Sequence, residues 1–226
     1  MALLAAGELS QAILRQLRAR GGQPRDGVRG PEHQPVTAQA WPPGSDPGSL
    51  ARRRSDRRFT GDPVPLADLA LIIGRAREAE RVLWPTDAHG AIRYTILFAA
   101  YRIAGLAPGL YLANEREDDG FCLLLTADDW LGVLRAAYSD AACLVFVCAD
   151  FTAACCPGSP GYGPLLIRAG TLGHAVWLSA IDVGLAGCVY GAPHHHVTDV
   201  LRRTDDWSRH VFTTALGVPA QEDPGQ

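Results

Sequence analysis

The chain contains no lysine; all 21 of its basic residues are arginine. That excludes chemistry that turns on a lysine of this chain, including a P-loop phosphate site and a Schiff base to pyridoxal phosphate. Six cysteines are present without a Cys-x-x-Cys pair, so neither a zinc ribbon nor a thioredoxin-like dithiol is signalled. Cys143 and Cys148 fall in an apolar run and read as small buried hydrophobes. Cys155–Cys156 reads as loop thiols, with a reactive vicinal pair as the alternative. Positive charge is not in excess: the formal net charge is −3 over 226 residues, which argues against nucleic-acid binding. No apolar run has the length of a membrane span. Glu8 and Gln11 break the N-terminal apolar stretch, so no secretory signal is expected and a cytoplasmic protein is the default. No internal repeat is visible. With 47% hydrophobic residues, the length suits one core and one domain.

Residues 3–19 carry Leu9, Ile13 and Leu17 at helical spacing with arginines between them, an amphipathic helix that packs on the protein's own body or docks a partner. Residues 21–50, rich in Gly, Pro, Arg and Gln, read as an extended arm. The folded body is expected over 51–220, with 221–226 as a tail. Leu66, Leu69, Ile72, Ile73 and Ala76 mark a helix that Pro65 is placed to begin. Residues 92–98 suit a strand, and 109–125 a hairpin with a charged turn ending Asp118-Asp119-Gly120. Thr126 with Asp129 resembles a capping box opening a helix to about Tyr138. The apolar run 142–148 predicts a central strand. A Gly/Pro-rich loop over 157–164 leads into a long apolar helix, 165–183, stopped by Gly184. A strand over 186–192, a helix over 197–203 and a strand over 210–216 complete the order. The irregular interleaving predicts an α+β fold with a central mixed sheet flanked by helices.

The densest charge lies in Arg52-Arg53-Arg54-Ser55-Asp56-Arg57-Arg58-Phe59. A phosphate monoester needs fixed positive charge and several donors, which guanidinium forks and a hydroxyl supply. A bare run of charge is more commonly a solvated surface stretch, and composition carries the reading no further. His194-His195-His196 is not read as a metal site, because consecutive side chains cannot all face one ion and no acidic or cysteine partner stands at helical spacing. It reads as a loop leading into a helix.

Residues 53–59, followed by Pro63-Val64 and the helix from Leu66, resemble the opening motif of the nitroreductase family. The resemblance implies FMN, with its phosphate held by Arg53, Ser55 and Arg57 and with Arg54 close by. Residues 169–185 resemble the family's long central helix. Gly187-Cys188-Val189-Tyr190-Gly191 resembles the turn over the flavin ring, which places Val189, Tyr190 and Gly191 at the cofactor; glycines there let backbone N–H groups approach a flat ring closely. Within the family, Pro85-Thr86-Asp87-Ala88-His89-Gly90 and Pro108-Gly109-Leu110-Tyr111 look like the azoline oxidase branch, with Thr86 at the cofactor. That branch makes thiazoles and oxazoles in ribosomal peptides, so a peptide substrate, a homodimer and other peptide-modifying enzymes as partners are implied. Tyr162 matches the branch's catalytic tyrosine. Gly161 stands where many members carry lysine, and the C-terminus lacks the family's basic residues. Arg168 is then a candidate cation for the Tyr162 phenol. An NAD(P)H-driven nitro, quinone or enone reductase, and a non-catalytic scaffold subunit, are the competing readings.

Overall fold

The computed structural model describes residues 33–34, 51, 53–86, 92–114, 120–127, 129–152, 161–203 and 207–220. The N-terminal amphipathic helix, the 115–119 turn, residues 87–90, Cys155–Cys156 and the tail lie outside them. In chain order the elements are β1 (His33–Gln34), β2 (Val64–Pro65), α1 (Leu66–Leu83), β3 (Tyr94–Ala100), β4 (Ile103–Ala104), β5 (Gly109–Ala113), β6 (Phe121–Thr126), α2 (Asp129–Ala137), β7 (Cys143–Asp150), α3 (Tyr162–Asp182), β8 (Ala186–Tyr190), α4 (His195–Leu201) and β9 (Ser208–Gly217). One seven-stranded sheet runs β1-β6-β5-β3-β7-β9-β8, and its pairings are antiparallel. Among the described residues, parallel pairing in this α+β fold is confined to β2 with β4 and to a single bridge between Ser55 and Gly187.

β7 is central and all eight of its residues are buried, as a continuous apolar run demands of a strand covered on both faces. Side chains alternate across a strand. Cys143, Val145 and Val147 join the core beneath α1 and α3 with Leu69, Ile72, Leu172 and Val176. Leu144, Phe146 and Cys148 join the opposite core beneath α2 and α4 with Leu131, Leu134, Val197 and Leu201. Each fully buried Leu or Phe contributes roughly 1.5–3 kcal/mol relative to exposure.

Two local devices set the geometry of the later site. α3 ends at Gly184 with φ +84°; its N–H reaches Ile181 O at 3.0 Å and that of Leu185 reaches Ala180 O at 2.9 Å, the paired bonds of a Schellman stop. The chain therefore turns back at once into β8. Between Val147 and Cys148 the register against β9 shifts, so Val147 faces Phe212 and Cys148 faces His210. The bulge gives β9 one extra residue, Val211. It places His210 and Thr213 on one face, although a three-residue spacing would otherwise separate them.

α3 begins at Tyr162, three residues before the expected start. The residues read as loop are compatible with helix: Gly161, at φ +85°, sits just outside it. Pro164 falls in the first turn, where the missing N–H has no intrahelical acceptor to lose.

Candidate functional site

Residues 53–60 are laid along the free edge of β8 and held by backbone bonds. Asp56 N–H donates to Gly187 O at 3.0 Å and Thr60 N–H to Val218 O at 2.9 Å. Ser55 bridges Gly187 and Phe59 bridges Pro219. The arginine run is thus anchored at fixed points, and it meets the 186–190 segment, more than 120 residues away in sequence. That segment is the strand β8, as expected over 186–192, and not the turn that the family resemblance implied for 187–191. Gly187 is required for packing: a Cβ would lie 2.8 Å from Trp177 Cδ1 and 3.0 Å from Ala215 O.

Three side chains of the run reach the residues of β8 and α3. Ser55 Oγ lies 3.0 Å from Cys188 Sγ. The Arg57 guanidinium sits over the Tyr190 ring at 5.2 Å, and its bond to Cys188 holds it further toward the charged form. Arg53 sits over the Trp177 indole at 4.7 Å. Two arginine–aromatic pairs therefore flank Ser55. Among the described residues neither Arg53 nor Arg57 has a carboxylate partner. Arg54 is exposed beside them. Trp177 is 3% exposed and its Nε1–H lacks an acceptor among the described residues, an omission that costs about 1–3 kcal/mol when nothing fills it. Charge, hydroxyl and an orphaned donor at one place suit an anion.

Behind the cradle, Tyr190 OH donates to Tyr138 O at 2.9 Å and the two rings meet edge to face, 5.2 Å apart. Burial, foremost, raises the Tyr190 phenol above its ordinary range. Val189 is half-buried and Gly191 exposed, with nothing within 4 Å of a Cβ built there. The end of β8 is thus open to a flat ligand.

Thr86 and Tyr162 lie elsewhere. Tyr162 is the first residue of α3, its ring 5.7 Å from that of Phe151. It stands fifteen residues before Trp177, about 22 Å along the helix. α1 and α3 run antiparallel, with Arg75 against Asp182 at 3.9 Å and Glu80 against Arg168. Thr86, beyond the end of α1, therefore shares the Tyr162 end. Within one chain these two residues are not brought to the arginine cradle. Arg168, the candidate cation for the Tyr162 phenol, pairs with Glu80. It is 3% exposed, donates from Nε to Glu80 Oε1 at 3.1 Å, and faces the Trp84 and Tyr94 rings at 5.7 Å each. A buried guanidinium needs such a partner. Around this end Val82, Leu83 and Ile167 are 57–66% exposed and Leu166 39%.

The histidine run enters α4 earlier than the expected start at 197: His195 and His196 are its first two residues. His194 caps α4, its ring accepting from His196 N–H at 3.4 Å, and its own N–H donates to His210 Nδ1 at 2.8 Å. Among the described residues no group could hold a metal ion, and no helix is long and apolar enough to cross a membrane. Sequence reasoning did not single out Trp177 and Cys188, the residues that Arg53 and Ser55 meet. Trp177 carried a weak signal, as a polar aromatic on an otherwise apolar helix.

No protein-family model matches the sequence, and no curated protein matches it. Solved structures do resemble the fold. A protein assigned as a nitroreductase from Ralstonia eutropha superposes with TM-score 0.63 at 20% identity, over 90% of this chain and 97% of that one. Another from Anabaena variabilis gives 0.62 at 17%, over 92% of this chain and 47% of that one, so this chain spans about half of the Anabaena protein. A chain of the E. coli microcin synthetase McbBCD complex with truncated pro-MccB17 bound gives 0.56 at 12%, over 98% of both chains. The chain has the nitroreductase fold.

Proposed function

We propose that the chain is an FMN-dependent oxidoreductase that oxidises thiazoline or oxazoline rings to azoles in a ribosomally made peptide. The observation that carries the FMN reading is the convergence of Ser55 and Arg57 on β8 and of Arg53 on Trp177 of the adjoining α3. It is a phosphate-type donor set beside an open strand end, and a buried donor there awaits an acceptor. FMN, when bound, supplies the hydride acceptor. The chain's own residues do the rest. Arg53, Ser55 and Arg57 hold the phosphate, with Arg54 adding charge. Val189, Tyr190 and Gly191 offer backbone to the ring. Tyr162 and Thr86 reach that ring from a second copy, whose α3 brings its N-terminal end to the cradle. The exposed Val82, Leu83, Leu166 and Ile167 then lie in the homodimer contact. The peptide branch is favoured by the motifs around Pro85 and Pro108 and by a microcin synthetase chain matched over its whole length.

A nicotinamide-driven reductase of nitro, quinone or enone compounds is the second reading, favoured by the higher similarity to the Ralstonia and Anabaena folds. One experiment separates the readings: the purified protein is examined by visible spectroscopy and treated anaerobically with NADPH, then with an azoline peptide. Flavin bleached by the peptide and not by NADPH is the expected result. Rapid bleaching by NADPH alone overturns the oxidase in favour of the reductase. A colourless protein that takes up no FMN leaves a scaffold subunit of a peptide-modifying complex.

A further inference from the structure

Three donors meet where the arginine segment crosses α3, and none has an acceptor among the described residues. The Arg53 guanidinium lies on the Trp177 indole. The Trp177 Nε1–H is buried and unpartnered. His174, one turn earlier on the same face, sets its ring edge-on to that indole with centroids 6.1 Å apart. Neither of its ring nitrogens is hydrogen-bonded to a described residue. Of the three, the indole N–H is the fully buried one, and a buried polar group is as a rule satisfied. His174 is half-buried and Arg53 exposed, so the cluster is reachable from solvent. One ligand type serves all three, an anion with several acceptor oxygens.

We propose that His174 and Trp177 belong to the phosphate site. FMN is then held by Arg53, Ser55, the Trp177 indole N–H and a His174 imidazole that takes up a proton as the phosphate docks. This rests on the FMN reading above. It also supplies, from α3, a cation that residues 218–226 do not offer.

The electrostatics agree. Burial first, then the positive charge of Arg53, pushes the His174 imidazole below its ordinary value. It is therefore neutral at neutral pH in the free protein. Among the described residues Arg53 is the charged neighbour that acts on it, and no group of α1 or β9 does. A dianionic phosphate placed between the two reverses the balance, because an opposite charge within about 4–6 Å favours the protonated ring. One proton is bound with each FMN, none is bound with a flavin that lacks the phosphate, and no covalent step is involved.

The test is FMN affinity, read by quenching of flavin fluorescence from roughly pH 5.5 to 8.5, for the parent and for His174→Gln. Riboflavin serves as the phosphate-free probe. The phosphate's own titration near pH ~6 is common to both proteins and cancels in their difference. The parent should bind FMN at least about tenfold more tightly at the acid end, with the gap closing by up to about tenfold per pH unit as the ring loses its proton. Riboflavin should bind both proteins alike. Calorimetry of the parent in buffers of differing ionisation enthalpy should show a proton taken up with FMN and not with riboflavin, a readout that does not depend on the variant folding. FMN curves that run parallel in parent and variant, or no proton uptake beyond that of the phosphate, overturn the His174 assignment while the FMN reading stands. Failure of the parent to bind either flavin overturns both.

Discussion

Gly187 and Gly191 are four residues apart and face opposite demands. At Gly187 a Cβ would press on Trp177 and on the Ala215 carbonyl, and the same residue bridges Ser55. Gly187→Ala must therefore displace the indole, the strand or the arginine segment. It should lower the unfolding free energy by about 1–3 kcal/mol, as overpacking does, and weaken FMN with it. Gly191→Ala meets open space and should leave stability within about 0.5 kcal/mol, so any loss of FMN there reports contact with the ring. Urea titrations beside flavin titrations decide both. Arg57→Ala removes an exposed group whose partners are Cys188 and the Tyr190 ring. It should leave the fold intact and lose a charge-assisted contact of about 1.5–3 kcal/mol, weakening FMN roughly tenfold to a hundredfold. An Arg53→Ala, Arg57→Ala double variant that purifies with full flavin refutes the cradle.

At the scale of elements, the bulge in β9 creates a group with a pH dependence of its own. His210 is 2% exposed, accepts from His194 N–H, and lies 2.8 Å by Nε2 from Thr213 Oγ1. Its ring is 5.1 Å from Phe146 and 6.4 Å from Tyr138. Burial is the chief cause that brings its pKa down from 6.5 to about 4. The folded chain keeps this ring neutral while the unfolded chain protonates it near 6.5. Stability is therefore complete above that pH and is lost as pH falls toward 4, by roughly 3 kcal/mol from this one group. His174 and His194, both lowered by burial first, act in the same direction. Chemical denaturation at pH 7 and pH 4.5 should show the loss, and His210→Gln should flatten it; an unchanged slope in the variant refutes the assignment. His210 also marks what local sequence can convey. β7, α3 and the Gly184 stop were legible, because a continuous apolar run, a long apolar stretch and a C′ glycine each leave a local signature. The bulge at Val211, the pairing of His33–Gln34 with β6 and the Ser55–Gly187 bridge were not, since each is decided by a partner strand far away in sequence. Tyr162 was placed in a loop because its neighbouring Gly and Pro read as breakers, when their positions outside and in the first turn of α3 disarm them.

For the whole molecule, the separation of the expected site residues is the informative fact. Arg53, Ser55, Arg57 and Tyr190 gather at one end of α3; Tyr162 and Thr86 stand at the other, about 22 Å away along the helix. One chain cannot place both sets on one flavin. A two-fold dimer with crossed α3 helices can, since a symmetric contact delivers each half-site to the other subunit. The exposed Val82, Leu83, Leu166 and Ile167 sit at the end that has to travel. In this arrangement Tyr162→Phe keeps FMN and the dimer but slows azole formation at least about 100-fold, the scale of a lost proton-transfer group. The Arg53→Ala, Arg57→Ala chain loses flavin. Each homodimer is thus inactive, for different reasons. In a mixed dimer one site collects every defect, while the other combines the intact cradle of the Tyr162→Phe chain with the intact tyrosine of its partner. Co-refolding equal amounts of the two inactive proteins should therefore restore activity to about a quarter of the parent value, the share of intact sites under random pairing. Loss of two hydrogens from an azoline peptide, followed by mass spectrometry, is the assay. If the mixture stays as inactive as its components while differently tagged chains co-purify as mixed dimers, the two half-sites do not meet across a subunit contact, and Tyr162 has no part in the flavin site.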